Sequence, residues 1–167
     1  GYGLRPTELV NRLLEVGAAG ANIEDVVHTE GKRVRGRQEH ADYIAAARQT
    51  ADDAGVDFVI NGRTDAVKLG MEVYQDPLGE AVERLKLMEQ AGARSVYPVG
   101  LSSVDQVSAV VDAVSIPVNA TAHPVDGHGV GHVQELKNLG VRRVTFGPLW
   151  QKWLGKVSAD QLSKWAD

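Results

Sequence analysis

Arg63 and Asp65 stand at the end of an apolar run, Asp57-Phe58-Val59-Ile60-Asn61-Gly62-Arg63-Thr64-Asp65-Ala66, whose last residues turn abruptly polar and charged. A short β-branched run of this kind reads as a buried parallel strand, and the carboxyl ends of such strands are where α/β folds keep their chemistry. Two readings are open for the pair: side chains at the mouth of a site, or an ion pair that ties down a βα loop. The same change of character recurs at Glu24 and Asp25 after Gly20-Ala21-Asn22-Ile23, and at Asn119 and His123 after Ile116-Pro117-Val118. If these strand ends share one mouth, an acid, a guanidinium and an amide converge. That set suits a hard divalent cation and a small anion, because carboxylates take Mg²⁺ through oxygen and water while arginine grips carboxylate or phosphate in a fork. In an open sheet the same groups would instead spread along one edge.

The elements that must position these residues follow from apolar spacing and from glycine and proline. A helix begins near Pro6 and ends at Gly17, and a short strand over 20–25 leads into a polar loop over 26–36. A second helix runs over about 38–55 into the strand that carries Arg63. A loop with Gly70 and Asp76-Pro77 precedes a helix marked by Val82, Leu85 and Met88, which stops at Gly92. Then come a strand over 95–100, a helix over 103–113 capped by Ser102 or Ser103, and a strand over 116–120 with Pro117 near its start. A Gly-rich loop, a helix through Val133, Leu136 and Leu139, and a strand over 141–147 follow. The closing segment carries Trp150, Trp153, Leu154, Leu162 and Trp165, and aromatics at helical spacing are expected to pack.

Strand, helix and glycine alternate with a period of roughly thirty residues, the length of a βα unit. One domain over 1–167 is expected, with a parallel sheet. Two architectures remain open. One is a five-stranded flavodoxin-like sheet; the other is the carboxyl-terminal part, about five βα units, of a (β/α)8 TIM barrel, which in full has eight strands and typically about 250 residues.

The 167 residues carry a net charge of −4 and no basic block, so nothing electrostatic points to nucleic acid or to a membrane surface. No apolar run approaches the roughly 20 residues needed to cross a bilayer, and the opening residues lack a signal-peptide layout. A cytoplasmic enzyme is expected. Cysteine is absent, which excludes disulfides, thiolate metal sites and cysteine nucleophiles in this chain. His123, His128 and His132 invite a metal reading, but a hard cation prefers oxygen, and these residues suit a Gly-rich loop and a helix start.

Ala19-Gly20-Ala21-Asn22-Ile23-Glu24-Asp25, Phe58-Val59-Ile60-Asn61-Gly62-Arg63-Thr64-Asp65-Ala66, Glu80-Ala81-Val82-Glu83-Arg84 with Gln90-Ala91-Gly92-Ala93, Pro117-Val118-Asn119, and Leu139-Gly140-Val141-Arg142-Arg143-Val144 with Gly147-Pro148 carry a resemblance. In order and spacing they resemble the isocitrate lyase/phosphoenolpyruvate mutase superfamily. The resemblance implies a (β/α)8 barrel that binds Mg²⁺ and an α-keto acid or its enolate at the strand ends, and that makes or breaks a C–C or P–C bond. It implies that Glu24 helps to hold the metal, that Arg63 binds the substrate's anionic group, and that Asn119 lies near the substrate. Asp25 and Asp65 match positions that support loops. His28, Lys32 and Arg33, on the loop after the first strand, would grip a phosphonate or carboxylate as that loop closes; the other reading of them is a solvated basic loop.

Two departures from the family pattern bear on function. The family's Gly-Tyr-Gly directly follows a strand whose acids contribute most to the metal site, and here Gly1-Tyr2-Gly3 opens the chain, as if three βα units were lacking. The loop over 26–36 also has no counterpart of the lyases' catalytic cysteine, which leaves the mutase-like branch: phosphonomutases, phosphonopyruvate hydrolase, oxaloacetate decarboxylase and cysteine-free lyases. All of these use a cation to stabilise an enolate. A catalytically incomplete half-barrel or interaction module is the alternative, and a homo-oligomer is expected, since such a half-barrel would expose strand edges and apolar faces. A flavodoxin-like binding domain is disfavoured because no loop shows a phosphate-cradling glycine pattern.

Overall fold

Three strands, β1 (Gly20–Glu24), β2 (Val59–Thr64) and β3 (Ser95–Pro98), pair in parallel and in chain order. In this computed structural model, which describes residues 3–29 and 31–165, β4 (Asn119–Thr121) and β5 (Arg143–Thr145) form a second parallel pair. A parallel bridge between Val96 and Val118 joins the two. Gly1, Tyr2, Glu30, Ala166 and Asp167 lie outside the described residues, and so do the expectations placed on the opening Gly-Tyr-Gly.

Strand order therefore follows chain order throughout, whereas a flavodoxin-like sheet reverses direction at a switch point. The architecture is α/β, the carboxyl-side part of a (β/α)8 barrel. The connecting helices are α1 (Pro6–Glu15), α2 (Arg37–Asp53), α3 (Ala66–Leu69), α4 (Pro77–Gln90), α5 (Val104–Asp112), α6 (Val133–Asn138) and α7 (Leu149–Leu162). Among the described residues no helix is long and apolar enough to cross a membrane.

Side chains alternate across a strand, and here the two faces differ in chemistry. Ile23, Ile60 and Val96 enter the core with Phe58, just ahead of β2, and with Val10, Ile44, Leu85, Met88 and Val107 from the helices. Gly62 belongs to this face, since a Cβ there would lie 2.7 Å from Met88 Sδ and 3.3 Å from Ile44 Cδ1. The residues between them, Asn22, Asn61, Arg63, Ser95 and Tyr97, must therefore look away from the helices. That opposite face is the one on which the site is built.

Three elements differ from the sequence expectation. Where a loop was expected after β2, the Asp65 carbonyl accepts the Leu69 N–H at 2.8 Å and a short helix, α3, forms before the 3-10 turn Gly70–Glu72. β4 starts later than expected because Pro117 has no N–H; its carbonyl instead accepts the Val96 N–H at 3.0 Å. The expected packing of the closing segment does not occur. α7 has no buried residue, and Trp165 and Leu162 are 88% and 70% exposed. Among the described residues the ring of Trp150 meets only those of its own stretch, tilted at 5.3 Å from Phe146 and 5.5 Å from Trp153. Helical spacing produces an apolar side, but burial needs a second element to cover it.

Candidate functional site

Register sets a row of side chains across the inner face. Glu24 stands opposite Arg63, and Arg63 opposite Tyr97. One step beyond the Val96–Val118 bridge, Asn119 reaches the level of Tyr97. Residues remote in sequence thus share one tier at the carboxyl ends of four parallel strands.

Arg63 is the hub of that tier. Its Nη2 lies 3.0 Å from Glu24 Oε2, and its Nε and Nη2 donate to Asp65 Oδ1 and Oδ2 at 2.8 and 3.0 Å. Its guanidinium carbon is 5.7 Å from the Tyr97 ring centre. Arg63 is therefore both the tie of its loop and a side chain on the inner face. Nη1 has no partner among the described residues and remains free to bind an anion. Burial alone would raise the carboxyl pKa of Asp65, but hydrogen bonds from Arg63 and from Lys68, 2.9 Å away, outweigh it and hold the group below its ordinary value. With its charged form favoured in this way, Asp65 keeps the guanidinium of Arg63 in place.

Glu24 accepts from a second direction as well, its Oε1 lying 2.5 Å from His28 Nε2. Glu24 and Arg63 line a recess of about 140 Å³ together with Asn22, Arg35 and Tyr43. Arg35 lies 4.2 Å from the Tyr43 ring centre and donates to the Glu24 carbonyl at 3.0 Å. One tier down, Asn61 donates to Asn22 Oδ1 and Ser95 donates to Asn61 Oδ1, both at 2.7 Å.

The expected residues are only partly united. Glu24 meets Arg63 on one side and His28 on the other. Asn119 sits on the same tier with Tyr97 between it and Arg63; its Nδ2 donates to Thr145 Oγ1 at 3.2 Å, and its buried Oδ1 has no partner. Lys32 is exposed, with φ +61°, and its ammonium contacts neither Glu24 nor Arg63. Arg33 turns away to Glu39, with bonds of 2.9 and 2.7 Å.

Tyr97, whose hydroxyl bonds Thr121 Oγ1, was missed by reading strand ends alone. Its signal was the alternation of Ser95-Val96-Tyr97, which aims it at the same face as Arg63. Arg35 has no comparable signal, because loop conformation alone brings it to β1.

Holding Mg²⁺ takes several oxygen donors. Here Glu24 is shared between Arg63 and His28, Asp65 is held by Arg63 and Lys68, and Asp25 faces Arg84 at 3.2 Å. Among the described residues no three His, Asp or Glu side chains gather as a metal would require. These residues by themselves do not fit a Mg²⁺ site. His123 and His128 instead accept backbone N–H groups in their own loops, from Asp126 at 3.1 Å and from Val130 at 3.2 Å.

Comparison with known proteins bears on this geometry. The family model for phosphoenolpyruvate phosphomutase matches residues 1–164. The chain is 32% identical over 117 residues to 2-methylisocitrate lyase of Escherichia coli, covering 66% of this chain and 37% of that one. It is 28% identical over 151 residues to an oxaloacetate decarboxylase of Bradyrhizobium, covering 86% and 48%. Among solved structures, oxaloacetate acetylhydrolase bound to its product oxalate superposes with a TM-score of 0.81 at 29% identity, covering all of this chain and 57% of that one. A Burkholderia cenocepacia protein assigned as a phosphonomutase gives 0.82 at 32% identity, covering 98% and 68%. The chain thus spans less than half the length of both of these relatives, the lyase and the decarboxylase. An unbroken match to the family model, on a fold whose strands follow one another as in a barrel, places the chain in the phosphoenolpyruvate phosphomutase family of the isocitrate lyase/phosphoenolpyruvate mutase superfamily.

Proposed function

We propose that this chain forms the anion-binding wall in a cytoplasmic enzyme that makes or breaks a C–C or P–C bond in a small α-keto acid or phosphonate. The reaction would pass through an enolate. The observation that carries this reading is Arg63, pinned on two sides by Asp65 and Glu24 yet left with Nη1 free on the inner face. A guanidinium so fixed loses little freedom on gripping a carboxylate or phosphonate, and its charge opposes the charge that grows on an enolate. Glu24 orients Arg63 and holds His28, and Asn119 offers an unpaired amide oxygen at the far end of the tier. His28 and Lys32 would reach the ligand as the 26–36 loop closes and excludes water. The Mg²⁺ implied by the family resemblance would need oxygen donors besides Glu24.

The test is Arg63→Ala and Arg63→Lys, assayed for turnover on phosphonopyruvate, oxaloacetate and substituted malates and for oxalate binding. Loss of a charge-assisted hydrogen bond from Nη1 predicts a drop of about 10- to 100-fold for alanine, and a smaller one for lysine, which keeps the charge without the geometry. Unchanged turnover and affinity would overturn the assignment. A second reading, a catalytically incomplete half-barrel that pairs with another copy, draws support from the uncovered apolar side of α7.

A further inference from the structure

Behind the inner tier lies a buried ionic cluster that the proposed chemistry does not use. Asp25 is fully buried and Arg84 is 3% exposed. Asp25 Oδ2 accepts from Thr64 Oγ1 at 2.6 Å and from Arg84 Nη1 at 3.2 Å, while Oδ1 accepts the Asp65 N–H at 3.1 Å. The same Arg84 Nη1 donates to the Arg35 carbonyl at 2.9 Å, and Nε and Nη2 reach Glu80 at 2.8 Å and the Tyr74 hydroxyl at 3.2 Å. The backbone closes the circuit, with the Arg35 N–H on the Asp25 carbonyl at 2.9 Å and the Asp25 N–H on the Arg63 carbonyl at 3.2 Å.

We propose that Arg84 is a positioning residue: through Asp25 and the Arg35 carbonyl it fixes the Glu24–Arg63 pair and the root of the 26–36 loop as one unit. Asp25 is joined by a peptide bond to Glu24, and its carboxylate holds the Asp65 backbone, so both carboxylates that pin Arg63 are anchored to it. Arg35 ends the loop that carries His28. One guanidinium therefore joins the ends of β1 and β2, the loop root and α4. A buried ion pair is poor evidence for stability alone, since an apolar pair of similar volume often does as well. What an apolar pair lacks is direction, and Arg84 supplies donors to separate elements at fixed angles. The inference rests on Arg63 as the anion site for its binding arm, but not for its loop arm.

The decisive substitution is Arg84→Lys, which keeps a cation beside Asp25 but cannot serve Asp25, the Arg35 carbonyl, Glu80 and Tyr74 together. Thr64→Val is a milder companion that removes one donor to Asp25 and keeps the shape. Both would be read by amide hydrogen exchange and by oxalate titration of the native protein. The expected result for Arg84→Lys is exchange about tenfold faster within 26–36, unchanged exchange in β2 and the middle of α4, and oxalate affinity lower by about tenfold. Thr64→Val should shift both in the same direction by less. Exchange in 26–36 at the wild-type rate in both variants would overturn the proposal, as would a uniform rise across β2 and α4, the mark of a merely structural pair. If neither the wild type nor the Arg63 variants bind oxalate, the functional reading fails while the exchange pattern still decides the role of Arg84.

Discussion

His40 lies in the first turn of α2, buried to 1% exposure, and burial followed by the nearby charges of Arg35 and Arg84 depresses its pKa to about 3. A histidine so depressed stays neutral in the folded chain but takes a proton in the unfolded chain below its ordinary value of 6.5. The unfolded state then binds more protons, so stability falls as pH drops from 6.5 towards about 3 and is fully present above that window. At pH 5 the cost is about 2 kcal/mol, from about 1.4 kcal/mol for each pH unit. His40→Met keeps the volume without the titration. Urea unfolding at pH 7.5 and pH 5 should show a stability loss about 2 kcal/mol smaller in the variant than in the parent, and parallel losses would refute the assignment. At this scale the sequence was informative about type and silent about direction. Asn61-Gly62-Arg63-Thr64-Asp65 announced polar chemistry at a strand end, yet that Arg63 is divided between Asp65 and Glu24 depends on the β1–β2 register.

Gly62 acts at the scale of the element. Without a Cβ it lets Met88 of α4 and Ile44 of α2 close onto β2, so that Arg63 next to it is seated by packing from behind. Gly62→Ala would force these side chains aside and should cost about 1–3 kcal/mol in chemical unfolding, the usual range for an overfilled core. A change within 0.5 kcal/mol would show that Met88 yields freely. Helix starts were legible because their chemistry is local. Ser103 Oγ accepts the Gln106 N–H at 3.3 Å as a cap should, and Asp76 does the same for Gly79 at 2.9 Å ahead of Pro77. Asp76→Ala should lower stability by about 1 kcal/mol, measured in the same way. The short strands β4 and β5 were less legible. Their limits are set by which backbone groups find partners across the sheet, and no local preference encodes that.

At the scale of the whole molecule, α7 presents an uncovered apolar side. Trp150, Leu154 and Leu162 on α7, a helix with no buried residue, and Trp165 just beyond it form an exposed apolar set, and Val59 on the inner face is 44% exposed. Apolar surface of this kind drives association. The chain is expected to self-associate, and Trp150→Glu with Leu154→Glu should reduce its light-scattering mass without loss of helical signal. A parent chain that stays monomeric over the tested concentration range would remove the basis for this prediction. The succession of strands and helices apart from α3, the α/β class and the polar strand ends were determined by sequence, because periodicity, glycine and proline act over neighbouring residues. Tertiary structure alone decided that Glu24 and Arg63 meet while Asn119 is held apart by Tyr97, that Asp25 and Arg84 form a buried clamp, and that α7 stays uncovered. These outcomes depend on register and on the approach of elements remote along the chain, which local composition does not encode.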